Sequence, residues 1–295
     1  MGRCCHCLRG LQYKIHQFVA VGSREIDKLE SFAAGRALMR RVVFNQKGGV
    51  GKSSIVCNLA AASAMEGYRT LVVDLDAQAN STYYLTGLSG DDIPVGIADF
   101  FKQTLSSGPA PKKSRARIVE TPYDNLHLIT ASGELADLQP KLEAKFKINK
   151  LRRLLDDISQ DYDRIYIDTP PAMNFYSFSA LIAADAVLIP FDCDTFARQA
   201  LYQVLAQVAE LQADHNESLV VEGIVINHYL TTTGFHRNLV EELIKEGLPI
   251  LPVYLGSSIK MRESHERCQP LIHLDRNHKL TRQFVDLLHV LEDAV

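Results

Sequence analysis

From Arg41 onward the chain alternates short runs of β-branched and aliphatic residues with longer stretches whose apolar positions recur every three or four residues. The runs Val42 to Asn45, Thr70 to Asp74, Leu126 to Thr130, Arg164 to Asp168, Ala186 to Pro190, Val220 to Asn227 and Ile250 to Tyr254 read as strands. Several are apolar throughout, as strands are when helices cover both faces of their sheet. Ser53 to Glu66, Lys147 to Gln160, Phe196 to Ala213, Arg237 to Lys245 and Leu280 to Leu291 carry the helical period. This succession predicts repeated βαβ units, and hence an α/β fold: a doubly wound, mainly parallel sheet flanked by helices on both faces. Residues 87 to 117 break the rhythm with frequent Gly, Pro and Ser around one short amphipathic piece, Ile97 to Leu105, and read as a surface insertion. Lys112, Lys113, Arg115 and Arg117 make that insertion basic.

Composition agrees with a soluble globular chain: 46% of the 295 residues are hydrophobic and 23% charged. No apolar run approaches the ~18 to 20 uncharged residues that a membrane-spanning helix needs. The six cysteines include a crowded group, Cys4, Cys5 and Cys7 beside His6, without the downstream ligand pair that a structural zinc site requires. Residues 1–38 lack signal-peptide order and form an N-terminal extension to a main domain over 39–295. Met39, followed at once by Arg40 and Arg41, is a candidate for the true start of translation, which intact-mass measurement of the native protein would test. Of the net charge of −3, the extension contributes six Lys or Arg against three Asp or Glu, so the remainder is mildly acidic at about −6. Binding to nucleic acid would therefore need a local basic patch.

The sharpest chemical signal is Gly48-Gly49-Val50-Gly51-Lys52-Ser53, which follows one predicted strand and opens a helix. That is the context of a P-loop. Its glycines let backbone N–H groups turn inward around a β-phosphate, and the helix N-terminus adds its dipole. Lys52 would supply charge to the β- and γ-phosphates, Ser53 a hydroxyl to Mg²⁺, and Ser54 would reach the α-phosphate of ATP.

Lys47 opens the loop, giving Lys-Gly-Gly-Val-Gly-Lys-Ser, and this string resembles the deviant Walker A motif of the ParA/MinD group of ATPases. Val72 to Asn80 is similar to the family's second motif, Tyr166 to Pro171 to its Walker B strand and turn, and Asn125 to Leu138 and Ile259 to Glu263 to blocks of the ParA branch. The resemblance runs from about Met39 to the C-terminus. It implies that Lys47 crosses into a partner subunit's nucleotide, so that a face-to-face homodimer closes around two ATP molecules. It also implies that Asp76 orients the attacking water, Asp168 binds Mg²⁺ through water, and Asp74 holds the Mg²⁺ shell. Asn227 and Pro252 become candidates for adenine contacts, against the alternative of a simple strand-end turn. Ala77 and Ala79 depart from the family, standing where many relatives carry Pro and Gly, which puts the hydrolysis rate in question.

ParA-like proteins couple ATP-driven dimerisation to nonspecific DNA binding, with a ParB-like or cargo adaptor protein stimulating hydrolysis. The resemblance thus implies a cytoplasmic, nucleoid-associated positioning ATPase. Candidate phosphate contacts are Arg237, Lys245, Lys260, Arg262 and Arg267, although Glu241, Glu242, Glu263 and Glu266 offer them partners. A MinD-like membrane role is the alternative. The apolar face Leu280, Phe284, Leu287, Leu288 and Leu291 is backed by acidic residues rather than the Lys and Arg that anionic lipid attracts, so core packing is expected and stable membrane insertion is not. No cysteine follows Pro171 before Cys193, which argues against an iron–sulfur role. A nucleotide-gated scaffold that scarcely hydrolyses ATP is the non-enzymatic alternative.

Overall fold

The computed structural model describes residues 38–106, 117–194 and 197–293. The cluster Cys4 to Cys7, the basic residues Lys112, Lys113 and Arg115, and Phe196 lie outside them. Among the described residues seven strands form one sheet: β1 (Met39–Val43), β2 (Thr70–Asp74), β3 (Ile118–Glu120), β4 (Leu126–Ile129), β5 (Arg164–Asp168), β6 (Ala186–Asp192) and β7 (Val220–Asn227). Their order is β3-β4-β2-β5-β1-β6-β7, with every pairing parallel except the short antiparallel edge strand β3.

Alternation along the central strands divides the core in two. Val42, Leu71, Val73, Ile165, Ile167, Val187 and Ile189 face one cluster. It is roofed by α3 (Ile97–Leu105), α4 (Glu134–Ala144), α5 (Lys150–Asp157), α6 (Phe175–Ala183), α7 (Ala197–Asp214) and α8 (Gly234–Lys245). Val43, Val72, Tyr166 and Leu188 face the other, under α1 (Lys52–Met65), α2 (Asn80–Thr86), α10 (Leu271–Leu274) and α11 (Lys279–Asp293). Helix α9 (Ile259–Glu266) lies between α8 and α10 in the chain. Helices on both faces of a mostly parallel sheet are the doubly wound architecture that the strand pattern predicts.

Two features differ from the pattern. Ile250 to Tyr254 is not a regular strand: it runs beside β7 through an isolated bridge between Ile224 and Ile250 and single hydrogen bonds such as Leu251 N–H to the Ile224 carbonyl at 3.0 Å. Pro249 and Pro252 lack the N–H groups that a continuous ladder needs. Strand β3 had no legible signature, being three residues long with no buried position. Within the 87–117 segment, α3 is seated in the core, where the Phe101 ring packs edge-on against Phe175 at 5.6 Å.

Register brings the chemistry to one edge. Asp168 at the end of β5 pairs with Val43 of β1 on one side and Asp74 of β2 on the other. The strand ends that precede the glycine loop and both acidic motifs thus share one level, outside the carboxyl ends of parallel strands.

Candidate nucleotide site

The loop after β1 is built for an anion. Gly49 and Gly51 take φ of 77° and 89°, values that L side chains avoid. A Cβ at Gly51 would also lie 2.3 Å from Asn227 Nδ2. Asn227, at the end of β7, donates from that nitrogen to the Val50 carbonyl at 2.9 Å, so a strand two places away braces the loop from beneath. Asn45 braces it from the side, accepting from Lys47 N–H at 2.9 Å and donating to the Pro190 carbonyl at 2.7 Å. Helix α1 starts at Lys52 with no side-chain cap and no acidic residue in its first turn. Its orphan amides and dipole therefore face the open space above exposed Gly48 and Gly49.

Lys52 is buried, and its ammonium donates to the Lys47 carbonyl at 3.2 Å. Burial lowers its pKa, while the charges of Asp168 and Asp76 act in the opposite direction. An ammonium held under desolvation beside an uncapped helix end is stabilised by any anion placed above the loop.

The aspartates differ in how completely the protein satisfies them. Asp74 accepts from Thr82 N–H at 2.9 Å and Thr82 Oγ–H at 2.8 Å through Oδ2, and from Asp76 N–H at 3.1 Å through Oδ1. It pins both the Asp76 turn and the start of α2. Asp168 accepts from Ser81 Oγ–H at 2.7 Å through Oδ2, while its Oδ1 is buried with no hydrogen-bond partner. Burial raises both carboxyls above the usual range; the charge of Asp168 raises Asp74 further, while the nearby Ser53 hydroxyl and the Ser81 hydrogen bond oppose the rise at Asp168. Two adjacent buried carboxyl groups with one unpartnered oxygen beside the Ser53 hydroxyl are hard oxygen donors that suit Mg²⁺. Asp76, after the end of β2, is buried at 8% exposure and accepts from Gln78 N–H at 3.0 Å. Ala79 closes that turn with φ of 53°, a left-handed conformation that costs a non-glycine residue roughly 1 kcal/mol or more.

The remaining candidates are spread around this centre. Lys47 forms an ion pair with Asp194, just beyond β6. Ser54 meets the His265 Nε2 atom at 3.0 Å. Pro252 is exposed on the run that flanks β7. Sequence reasoning missed the supports, Asn45, Ser81, Thr82 and Asp194, because each acts through a neighbour and belongs to no motif of its own. His265 lies 211 residues from the serine it meets.

Comparison with known proteins places this arrangement. A family model described as an AAA domain matches residues 40–221, more than half of the chain. The chain is 30% identical over 247 residues to the sporulation initiation inhibitor protein Soj of Bacillus subtilis, covering 83% of this chain and 94% of that protein. It is 32% identical over 241 residues to the chromosome partitioning protein ParA of Caulobacter vibrioides, covering 79% and 86%. Among solved structures, cobyrinic acid a,c-diamide synthase from Mycobacterium smegmatis with bound ATP analog and magnesium superposes with a TM-score of 0.74 at 25% identity, over 86% of this chain and 93% of that one. The glycine loop opened by Lys47, the paired aspartates on β2 and β5 and these relatives lead to one conclusion: the chain belongs to the ParA/MinD family of P-loop ATPases.

Proposed function

We propose that this ATPase is a positioning switch: it dimerises on ATP, binds DNA without sequence preference, and lets go when an adaptor on the cargo stimulates hydrolysis. Its cofactors are ATP and Mg²⁺. The observation that carries the reading is the unpartnered, buried Oδ1 of Asp168, set beside Ser53 and Lys52 at the foot of a glycine loop. In this reading Gly48 to Ser53 cradle the β-phosphate and Lys52 neutralises the β- and γ-oxygens. Ser53 and Asp168 hold Mg²⁺, Asp74 fixes that shell, and Asn227 and Pro252 border the base. The metal, when bound, neutralises charge on the phosphate oxygens. Asp76 orients the attacking water.

Lys47 is the residue for the partner subunit. Its side chain is 37% exposed and held by Asp194, so it can exchange that carboxylate for phosphate oxygens across a dimer interface at modest cost. For DNA, Arg237, Arg262 and Lys245 are exposed on α8 and α9. Lys260 and Arg267 both pair with Glu263 at 2.8 Å and serve as a second rank. A ParB-like or other adaptor is the proposed partner, and the cytoplasm, at the nucleoid, the proposed place. The C-terminal helix is engaged elsewhere, with Leu280, Phe284, Leu287, Leu288 and Leu291 buried in the second core; this favours the DNA-bound switch over a membrane-inserting one.

The test combines turnover and DNA retention. Wild type with ATP and Mg²⁺ should retain nonspecific duplex DNA, with affinity falling steeply as salt rises, and Arg262→Glu should weaken retention while leaving basal turnover intact. Salt-insensitive retention, or retention by Lys52→Ala equal to wild type, would contradict the switch.

A further inference from the structure

Ser54 is the third residue of α1, next to the Mg²⁺ candidate Ser53 and at the same uncapped helix end. Its hydroxyl has one O–H to donate and two lone pairs to accept with. A serine at such a place can turn its hydroxyl back to the carbonyl four residues earlier, here that of Val50, which already accepts from Asn227. Instead its oxygen meets His265 Nε2, delivered from α9 across 211 residues of sequence.

The ring is held in place on several sides. Tyr84 of α2 packs edge-on against it, with centroids 4.6 Å apart. The Tyr84 hydroxyl is fixed at 2.5 Å from Ser264 Oγ, the residue before His265, and accepts from Asn58 Nδ2 at 3.1 Å. Asn58, one helical turn below Ser54, donates to the Ser54 carbonyl at 2.8 Å and accepts from Leu271 N–H at 2.9 Å. The P-loop helix, the helix after the Asp76 turn and the α9–α10 segment therefore converge on this one contact. Burial lowers the His265 pKa, which favours a neutral ring at neutral pH.

We propose that His265 is a positioning residue for the nucleotide: its Nε2–H donates to the Ser54 oxygen and thereby aims the Ser54 O–H at an α-phosphate oxygen. The proposal rests on the reading of the loop as the ATP site with Ser54 at the α-phosphate. A chain running from imidazole N–H through hydroxyl to phosphate polarises each member and fixes the rotor that a lone serine would leave free. It makes α9 a wall of the nucleotide site, on the same short helix that carries Arg262.

The test uses the full chain and the two phosphorus diastereomers of ATPαS, which differ only in which α-oxygen is sulfur. Wild type should prefer one diastereomer in competition binding. His265→Ala should bring that preference toward unity and raise KM for ATP roughly threefold to tenfold, the worth of one hydrogen bond, with kcat little changed. His265→Gln, which restores an N–H at similar reach, should recover much of the preference. Ser54→Ala separates the two levels of the argument. If Ser54→Ala leaves both KM and the diastereomer preference unchanged, Ser54 does not meet the α-phosphate and the underlying reading of that residue fails. If Ser54→Ala loses the preference while His265→Ala keeps it, only the proposal for His265 is overturned. Equal loss in His265→Ala and His265→Gln, tracking a lowered melting temperature, would likewise overturn it in favour of a packing role.

Discussion

Strands β1 and β5 carry buried charge toward both ends of the sheet, and the two ends treat it in opposite ways. Toward one end, Arg41 is fully buried and donates to Glu222 at 2.8 and 2.9 Å, to Glu292 at 2.7 Å and to the Leu291 carbonyl at 3.1 Å. Arg164 donates from Nε to the same Glu292 at 2.9 Å and lays its guanidinium over the Tyr68 ring at 4.3 Å. At the other end Asp168 leaves one oxygen unpartnered, and the only hydrogen bond of the Lys52 ammonium among the described residues is to a carbonyl. A buried charge whose hydrogen bonds are complete holds elements together. One whose hydrogen bonds are incomplete leaves part of its desolvation cost to be offset by a ligand.

The largest effect expected from this contrast is on stability at the closed end. Arg41→Leu strands Glu222 and leaves Glu292 with Arg164 alone, and should cost about 3–5 kcal/mol, read from urea midpoints. Adding Glu222→Leu should recover part of that loss, because the pair leaves together. At the open end Lys52→Ala should do the reverse: it should lower turnover and ATP binding by roughly a hundredfold or more, with a urea midpoint displaced far less than in Arg41→Leu. Similar midpoint losses in the two variants would abolish the distinction.

The same contrast explains what the sequence disclosed. The glycine loop and Lys52 of the proposed site could be singled out because phosphate binding restricts residue type at fixed spacing, Asp74 and Asp168 through the family resemblance of their motifs, and the apolar parallel strands because both their faces are covered. Strands β2, β5 and β7 fall at the bounds that their apolar runs predict. Helices α2, α4 and α6 were not legible. α2 is only seven residues long and starts from a left-handed Ala79, and α4 contains Pro140. α6 is buried at nearly every position, so it has no polar face to reveal its period. The Arg41 cluster was equally hidden: its partners lie 181 and 251 residues away, and each of its members alone reads as an ordinary surface charge. Sequence separation, rather than weak chemistry, concealed both that cluster and His265.

A smaller effect sharpens the comparison by reversing the usual sign. Burial raises the Asp74 and Asp168 carboxyls, the charge of Asp168 raises Asp74 further and that of Asp76 raises Asp168, so the nucleotide-free protein is less stable with these groups ionised than it would be with Asp168 neutral. Asp168→Asn keeps an acceptor for Ser81 and removes one charge, and should raise the stability of the nucleotide-free protein by about 1 kcal/mol. The additional stabilisation that wild type gains from ATP with Mg²⁺ should disappear in the same variant. Thermal melts with and without nucleotide read both parts, and a destabilised variant would show Asp168 to be structural after all.

The smallest effect, at pH 7 below that of Asp168→Asn, lies at the closed end and has the opposite dependence on pH. Burial alone would raise the Glu292 carboxyl, but hydrogen bonds from Arg164 and the charge of Arg41 outweigh it and hold the group below its ordinary value of 4.5. A carboxylate depressed in the folded state contributes stability that is fully present above its unfolded pKa and is lost as pH falls through the folded one. Wild type should therefore lose stability below about pH 4.5 through this group, and Glu292→Gln, already lacking the charge, should lose less over the same interval. At pH 7 the variant should be less stable by only the difference between a charged and a neutral hydrogen bond, under about 1 kcal/mol, because Gln keeps an acceptor oxygen, and the gap should close as acid protonates the wild-type residue. Urea midpoints of the two proteins measured down the acid limb decide the matter: parallel curves would mean that the Arg41 and Arg164 clamp does not depend on the ionised form of Glu292, and that the C-terminal helix is held by its apolar face alone.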